Sequence, residues 1–234
     1  MGAPMDATHA ARERFVAAVT GAEVALDVAA LCIAAHAHPG LDVDVACRRL
    51  DDLAAACPQP TFDGVRAYLF DECGFTGDRD DYGDPENSCL DAVLDRRRGI
   101  PITLAIVMME VGRRLGVGVE GVGMPGHFVV HDPARPEVWC DPFGGGEPLD
   151  ADACHALFAR LHGAGVPFDP AYLAPVRPLA IVSRVLTNLE LGRLGADPLA
   201  LRWMCDLHLA LPGLPEPERR RLGAAVASVR SRWN

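Results

Sequence analysis

His127 and Asp141 are the side chains whose types and placement most directly suggest chemistry. They lie on two β-prone runs, Gly126 to His131 and Glu137 to Asp141, separated by the turn-rich stretch Asp132-Pro133-Ala134-Arg135-Pro136. Pairing these runs antiparallel with His131 opposite Glu137 puts His127 directly opposite Asp141. Cross-strand neighbours have Cβ atoms about 4.5–5.5 Å apart, so an imidazole N–H can reach a carboxylate. A carboxylate placed there fixes the ring's tautomer and supports an imidazolium, as general-base catalysis requires. The same register turns Val129, His131, Glu137 and Trp139 to the dyad's face, and Phe128, Val130, Val138 and Cys140 to the other. Cys140 is therefore expected in the core. The structural alternative is a buried histidine bonded to a carboxylate only to satisfy two polar groups. A metal shared by His127 and His131 is disfavoured, since residues four apart in a strand are separated by about 13 Å.

Other reactive groups are scarce. The eight cysteines, Cys32, Cys47, Cys57, Cys73, Cys89, Cys140, Cys154 and Cys205, include no C-x-x-C pair and mostly sit in apolar segments, so reduced thiols packed as small hydrophobes are expected. The sequence contains no lysine, which removes imine-forming and lysine–phosphate chemistry. Asp78, Asp80, Asp81, Asp84 and Glu86 form an acidic loop without the ordered ligand spacing of a calcium loop, and no metal is expected there. Arg96, Arg97 and Arg98 stand ready to pair with these acids or to receive a substrate carboxylate.

The elements that position these residues follow from periodicity. From about Ala10 to Cys57 the pattern reads as two or three amphipathic helices, broken at Pro39-Gly40 and ended at Cys57-Pro58. Phe62 to Glu72 is a further helical run, and Gly74 to Asn87 is an acidic loop. Ile100 to Leu115 is apolar almost all round and should be a buried helix. Pro101 suits its first position, Arg113 and Arg114 its last turn, and Gly116 the position beyond its end. Val117–Gly123 joins the two β runs in an antiparallel meander. Gly144-Gly145-Gly146 opens a loop into a helix near Asp150–Leu161. Leu179–Leu194, Pro198–Leu211 and Glu216–Trp233 read as a helical tail, with the boundary in the proline-bearing segment Pro167–Pro178.

Four motifs occur in order: Asp84-Pro85-Glu86-Asn87-Ser88, then Val93-Leu94-Asp95-Arg96-Arg97-Arg98-Gly99-Ile100-Pro101-Ile102-Thr103-Leu104, then Pro125-Gly126-His127-Phe128, then Asp141-Pro142-Phe143. This ordered set resembles the SirB-type branch of the transglutaminase-like, papain-like superfamily, over most of the chain. The resemblance implies an α+β fold, with a buried central helix packed on a small antiparallel sheet, helices before it and a tetratricopeptide-like helical tail after it. It implies a domain over 1–175 and a tail over 176–234. In the thiol enzymes of this superfamily a cysteine begins the central helix, where the helix N-terminus lowers its pKa and backbone N–H groups form an oxyanion hole. His127 and Asp141 match the other two triad members. The thiol's position, counted back from Gly116, falls on Pro101. Thr103 is the nearest hydroxyl but faces about 200° around the helix, with a backbone hydrogen bond as its expected partner. Cys89 is the other candidate nucleophile, against a buried thiol on a helix running to Leu94. Asn87, Arg98, Trp139 and Phe143 are the candidate substrate-binding residues.

The implied activity is hydrolysis or acyl transfer on an amide, ester or thioester, with His127 activating water or an amine. The alternative is an inactive relative that binds a peptide or protein partner, the helical tail offering a surface. No cofactor is expected. At 234 residues with 50% apolar composition the chain can bury a real core, and its net charge of −10 argues against nucleic acid as a partner. No apolar stretch is long enough to span a bilayer and the N-terminus lacks the pattern of a secretory leader, so a cytoplasmic protein acting on a small-molecule or peptide substrate is expected.

Overall fold

A helix that is apolar on nearly every side has to be enclosed, and residues 101–114 are. Pro101, Ile102, Thr103, Leu104, Ala105, Ile106, Val107 and Met108 are all buried in the computed structural model, which describes residues 4–192 and 196–231. Pro101 occupies the helix's first turn, where its missing N–H costs nothing. Gly116 adopts φ 71° just beyond the end, the left-handed conformation that closes a helix cheaply. The last turn carries Arg113 and Arg114, which both donate to the buried Glu110 carboxylate, at 2.8 and 2.9 Å.

In chain order the elements are α1 (Pro4–Thr20), α2 (Leu26–Ala37), α3 (Val43–Ala56), α4 (Phe62–Arg66), β1 (Thr76–Gly77), α5 (Leu90–Arg96) and β2 (Arg98–Gly99). Then follow α6 (Pro101–Arg114), β3 (Glu120–Val122), β4 (Val129–His131), β5 (Trp139–Asp141), β6 (Glu147–Leu149), α7 (Ala151–His162), α8 (Pro178–Leu191), α9 (Pro198–Leu209) and α10 (Glu216–Ser231). A π-helical turn, Ala67–Glu72, continues α4, and 3₁₀ turns cover Pro85–Ser88 and Pro170–Leu173. The mixed α+β character expected from the sequence is what the fold shows. The expected ends of the tail helices at Leu194 and Trp233 lie outside the described residues.

Two compact units make up the chain. One comprises Arg48–Tyr82 and Ala92–Arg177; the other comprises Met1–Cys47, Gly83–Asp91 and Pro178–Asn234. α1 and α2 thus group with the tail: α1 packs on α2, α2 on α8 and α9, and α9 on α10. In the first unit α6 packs against α4, β3 and β4, while β3-β4-β5-β6 form an antiparallel sheet and β1-β2 a short parallel pair. Val122, Met124, Val129, Trp139 and Leu149 from the sheet region pack with Cys154, Leu157 and Phe158 of α7.

Two sequence expectations need correction. The β4–β5 register pairs Val130 with Cys140 and His131 with Trp139, two residues away from the expected pairing. The Asp132 side chain explains the slip: it accepts from Ala134 N at 2.9 Å and from Arg135 Nε at 2.7 Å, and Asp132 N donates to Val138 O at 3.0 Å. The turn therefore absorbs Glu137 and Val138, which the simple pattern had placed in the strand. The second correction is β6, which the glycine run had hidden in a loop. Gly146 N donates to Asp141 O at 2.9 Å and reverses the chain, pairing Asp141 with Glu147.

Candidate active site

A slip of two residues preserves which face each side chain occupies. His127 is thus diagonal to Asp141 instead of directly opposite, and its Nε2 still donates to Asp141 Oδ1 at 2.9 Å. The turn before β4 sets the ring's position. Gly126 has φ 72°, and His162 on α7 donates from Nε2 to Pro125 O at 3.0 Å. His127 and Asp141 are only 6% and 5% exposed. The carboxylate is held from a second side, since Phe143 N donates to the same Oδ1 at 3.0 Å. Asp141 thus has its own local turn, independent of the histidine.

Phe143 ties this pair to the segment leading into the central helix. Its ring meets His127 edge-on at 6.0 Å between centroids and Tyr82 at 5.7 Å, with the Arg79 guanidinium 5.1 Å from its centroid. Gly77 N donates to Phe143 O at 3.2 Å, and a Cβ at Gly77 would lie 2.4 Å from the Phe143 ring. Asp78 N in turn donates to Gly99 O at 3.0 Å, one residue before the N-cap of α6. The dyad loop is therefore connected by backbone bonds to the start of α6. Pro101 stands there, in the first turn of α6.

The other candidates have different settings. Thr103 is buried and its hydroxyl both accepts from Ile100 N at 3.2 Å and donates to Ile100 O at 3.1 Å, so it stabilises the start of α6. Trp139 lies two residues before Asp141 inside the apolar cluster, tilted against His131 at 5.1 Å. Its Nε1 is buried without a hydrogen-bond partner among the described residues. Arg98 is exposed and pairs with Asp80 at 3.1 Å, while Arg96 pairs with the buried Asp78 at 3.1 Å. Of the two roles open to these arginines, the structure displays the pairing with acids. Asn87 and Cys89 belong to the other compact unit and are both buried. Burial, with the carboxylates of Asp91, Glu86 and Asp84 nearby, pushes the Cys89 thiol well above its ordinary pKa. Cys140 is likewise raised by burial and by Asp141. Tyr82, Arg79 and Gly77 were not legible as site residues, because the acidic stretch containing them reads as solvated loop.

A buried central helix, an antiparallel sheet beside it and a pair formed by Asp141 of that sheet with His127 just before β4 define the class of a transglutaminase-like protein. The chain belongs to the transglutaminase-like superfamily, whose family model matches residues 25–187. It is 45% identical over 164 residues to a UPF0162 protein of Xylella fastidiosa (strain Temecula1 / ATCC 700964), covering 67% of this chain and 58% of that protein. It is 32% identical over 162 residues to human F-box only protein 21, covering 64% of this chain and 25% of that protein. Among solved structures, menin matches with a TM-score of 0.49 at 15% identity, covering 96% of this chain and 61% of menin. The chain spans about half the length of the curated Xylella relatives it matches, 46% and 58%.

Proposed function

We propose that this chain handles an acyl compound, an amide, ester or thioester, with His127 as general base and Asp141 as the group that orients it. The observation that carries this reading is the 2.9 Å bond from His127 Nε2 to an Asp141 oxygen that also accepts the Phe143 N–H. With Nε2 donating to the carboxylate, Nδ1 is the ring's basic nitrogen, and proton abstraction falls to it. Pro101 supplies no thiol, so the proton comes from water or an incoming amine and no acyl-enzyme forms. Attack by that oxygen or nitrogen on the carbonyl, followed by return of the proton to the leaving group, gives hydrolysis or acyl transfer. The ordered motifs support placement in the SirB-type branch. We assign the protein to the cytoplasm, and α8, α9 and α10 a tetratricopeptide-like role toward a protein partner.

A second reading is favoured by a specific observation: the dyad is almost fully buried, with the Phe143 ring perpendicular to that of His127 at 6.0 Å. On that reading the chain is an inactive relative that binds a peptide or protein segment. One experiment separates the two. Wild type, His127→Gln and Asp141→Asn are assayed against ester, thioester and amide acyl donors, with and without an amine acceptor, and their melting temperatures are recorded alongside. Turnover that both substitutions depress by about 10²–10⁴-fold, with little change in melting, supports the base. Activity that merely follows the folded fraction, or no turnover on any donor, gives the site to binding.

A further inference from the structure

The unit that lacks the dyad holds a second group of reactive side chains. His38 ends α2, and Cys89 and Asp91 flank the start of α5. One donor atom from each of these three residues lies within 4.8 Å of the other two. His38 Nδ1 is 2.7 Å from Asp91 Oδ2, and its Nε2 is 3.0 Å from Glu86 Oε1. Cys89 is 1% exposed, whereas the His38 side chain is 28% exposed and that of Glu86 43%, so the group is open to solvent from the histidine's side.

We propose that His38, Cys89 and Asp91 form a binding site for a borderline-soft divalent cation of the zinc type. The donor set is the first argument. Imidazole nitrogen, thiolate sulfur and carboxylate oxygen together select zinc or cobalt over magnesium or calcium, which take oxygen ligands. The second argument is the far side of the imidazole. A metal-bound histidine nearly always donates its other ring N–H to a carboxylate or carbonyl, and Glu86 already stands at Nε2 while Nδ1 faces Asp91.

Binding requires little movement. Metal–ligand bonds of about 2.0–2.3 Å in tetrahedral geometry put donor atoms about 3.3–3.7 Å apart. The His38–Asp91 contact opens from 2.7 Å by about 0.6–1 Å and the sulfur closes in. The Cys89 proton leaves to solvent as the metal–sulfur bond forms. Water completes the coordination.

The test uses the full chain, stripped with a chelator and titrated with Co²⁺ and then Zn²⁺. The expected result is one equivalent of Co²⁺ giving tetrahedral visible bands and a near-ultraviolet thiolate-to-cobalt band, all bleached by Zn²⁺. Cys89→Ser removes the thiolate band, while His38→Gln and Asp91→Asn weaken binding about 10–100-fold or more. Substituting the less buried thiols, Cys47→Ser and Cys73→Ser, leaves the spectrum unchanged. Zn²⁺ raises the melting temperature of wild type and not of His38→Gln, which keeps the proposal testable should Cys89→Ser fold poorly. Absence of the thiolate band in wild type, its persistence in Cys89→Ser, or a Co²⁺ affinity unchanged by His38→Gln would overturn the site.

Discussion

At the scale of single residues, the contact between His127 and Asp141 bears on activity while their burial bears on stability, and two substitutions separate these contributions. Asp141→Asn keeps the shape and the Phe143 N–H bond but removes the charge that holds the imidazole in its working tautomer. It is expected to lower turnover more than it lowers the melting temperature, as measured by initial rates and thermal melts on one preparation. Alkylation supplies a second residue-scale prediction. Cys47 and Cys73 are the partly exposed thiols, while Cys89 is buried with its pKa raised. Brief iodoacetamide treatment should therefore modify Cys47 and Cys73 and leave activity within about twofold, since the thiolate is the reactive form. Loss of activity traced by mass spectrometry to Cys89 would instead make that thiol the nucleophile. The pair itself was legible in the sequence because face alternation survives a slip of two residues. The register was not, because it depends on the Asp132 side chain capping its own turn, and alternation carries no information about such a cap.

At the scale of elements, the site depends on how the dyad loop packs against β1. A Cβ on Gly77 would stand 2.4 Å from the Phe143 ring and 2.5 Å from its carbonyl oxygen, and the backbone oxygen cannot rotate away. Gly77→Ala is therefore expected to cost about 1–3 kcal/mol, the usual range for overpacking, in chemical denaturation. It should also displace Phe143, so the histidine resonances of His127 in an NMR spectrum should shift more than those of His155, which stacks on Phe168 elsewhere in the same unit. An unchanged His127 environment would show that the loop tolerates the methyl group and that Gly77 does not position the site. The central helix was legible end to end, from Pro101 at its start to Gly116 past its end, since both boundary signals act locally. β1, β2 and β6 were not. Strands of two or three residues carry almost no periodicity, and their pairing is fixed by bonds from distant segments such as Gly77 N to Phe143 O.

At the scale of the whole molecule, the sequence order of the helices says little about which of them share a core, and the tail shows why. The second unit draws on α1 and α2, the segment Gly83–Asp91 and the tail, and its interior contains charge as well as apolar surface. Glu190 on α8 is buried and accepts from His208 Nδ1 on α9 at 2.7 Å and from Arg221 Nη2 on α10 at 2.9 Å, while Ser183 Oγ lies 2.8 Å from His208 Nε2. Three helices are thus joined through one carboxylate. Burial pushes the Glu190 carboxyl upward, but the bonds from His208 and Arg221 outweigh it and its pKa is lowered overall. A carboxyl whose folded pKa lies below its unfolded value contributes stability that is fully present above the unfolded value, about 4.3, and is lost as pH falls through the folded one. Glu190→Gln should therefore destabilise the protein by about 1.5–3 kcal/mol at neutral pH, the range for bonds to a charged group. The difference between wild type and variant should shrink as pH drops below about 4. Urea denaturation of both proteins at several pH values measures this directly. A difference that stayed constant or grew toward acid would mean that the carboxylate's charge does not contribute to holding α8, α9 and α10 together.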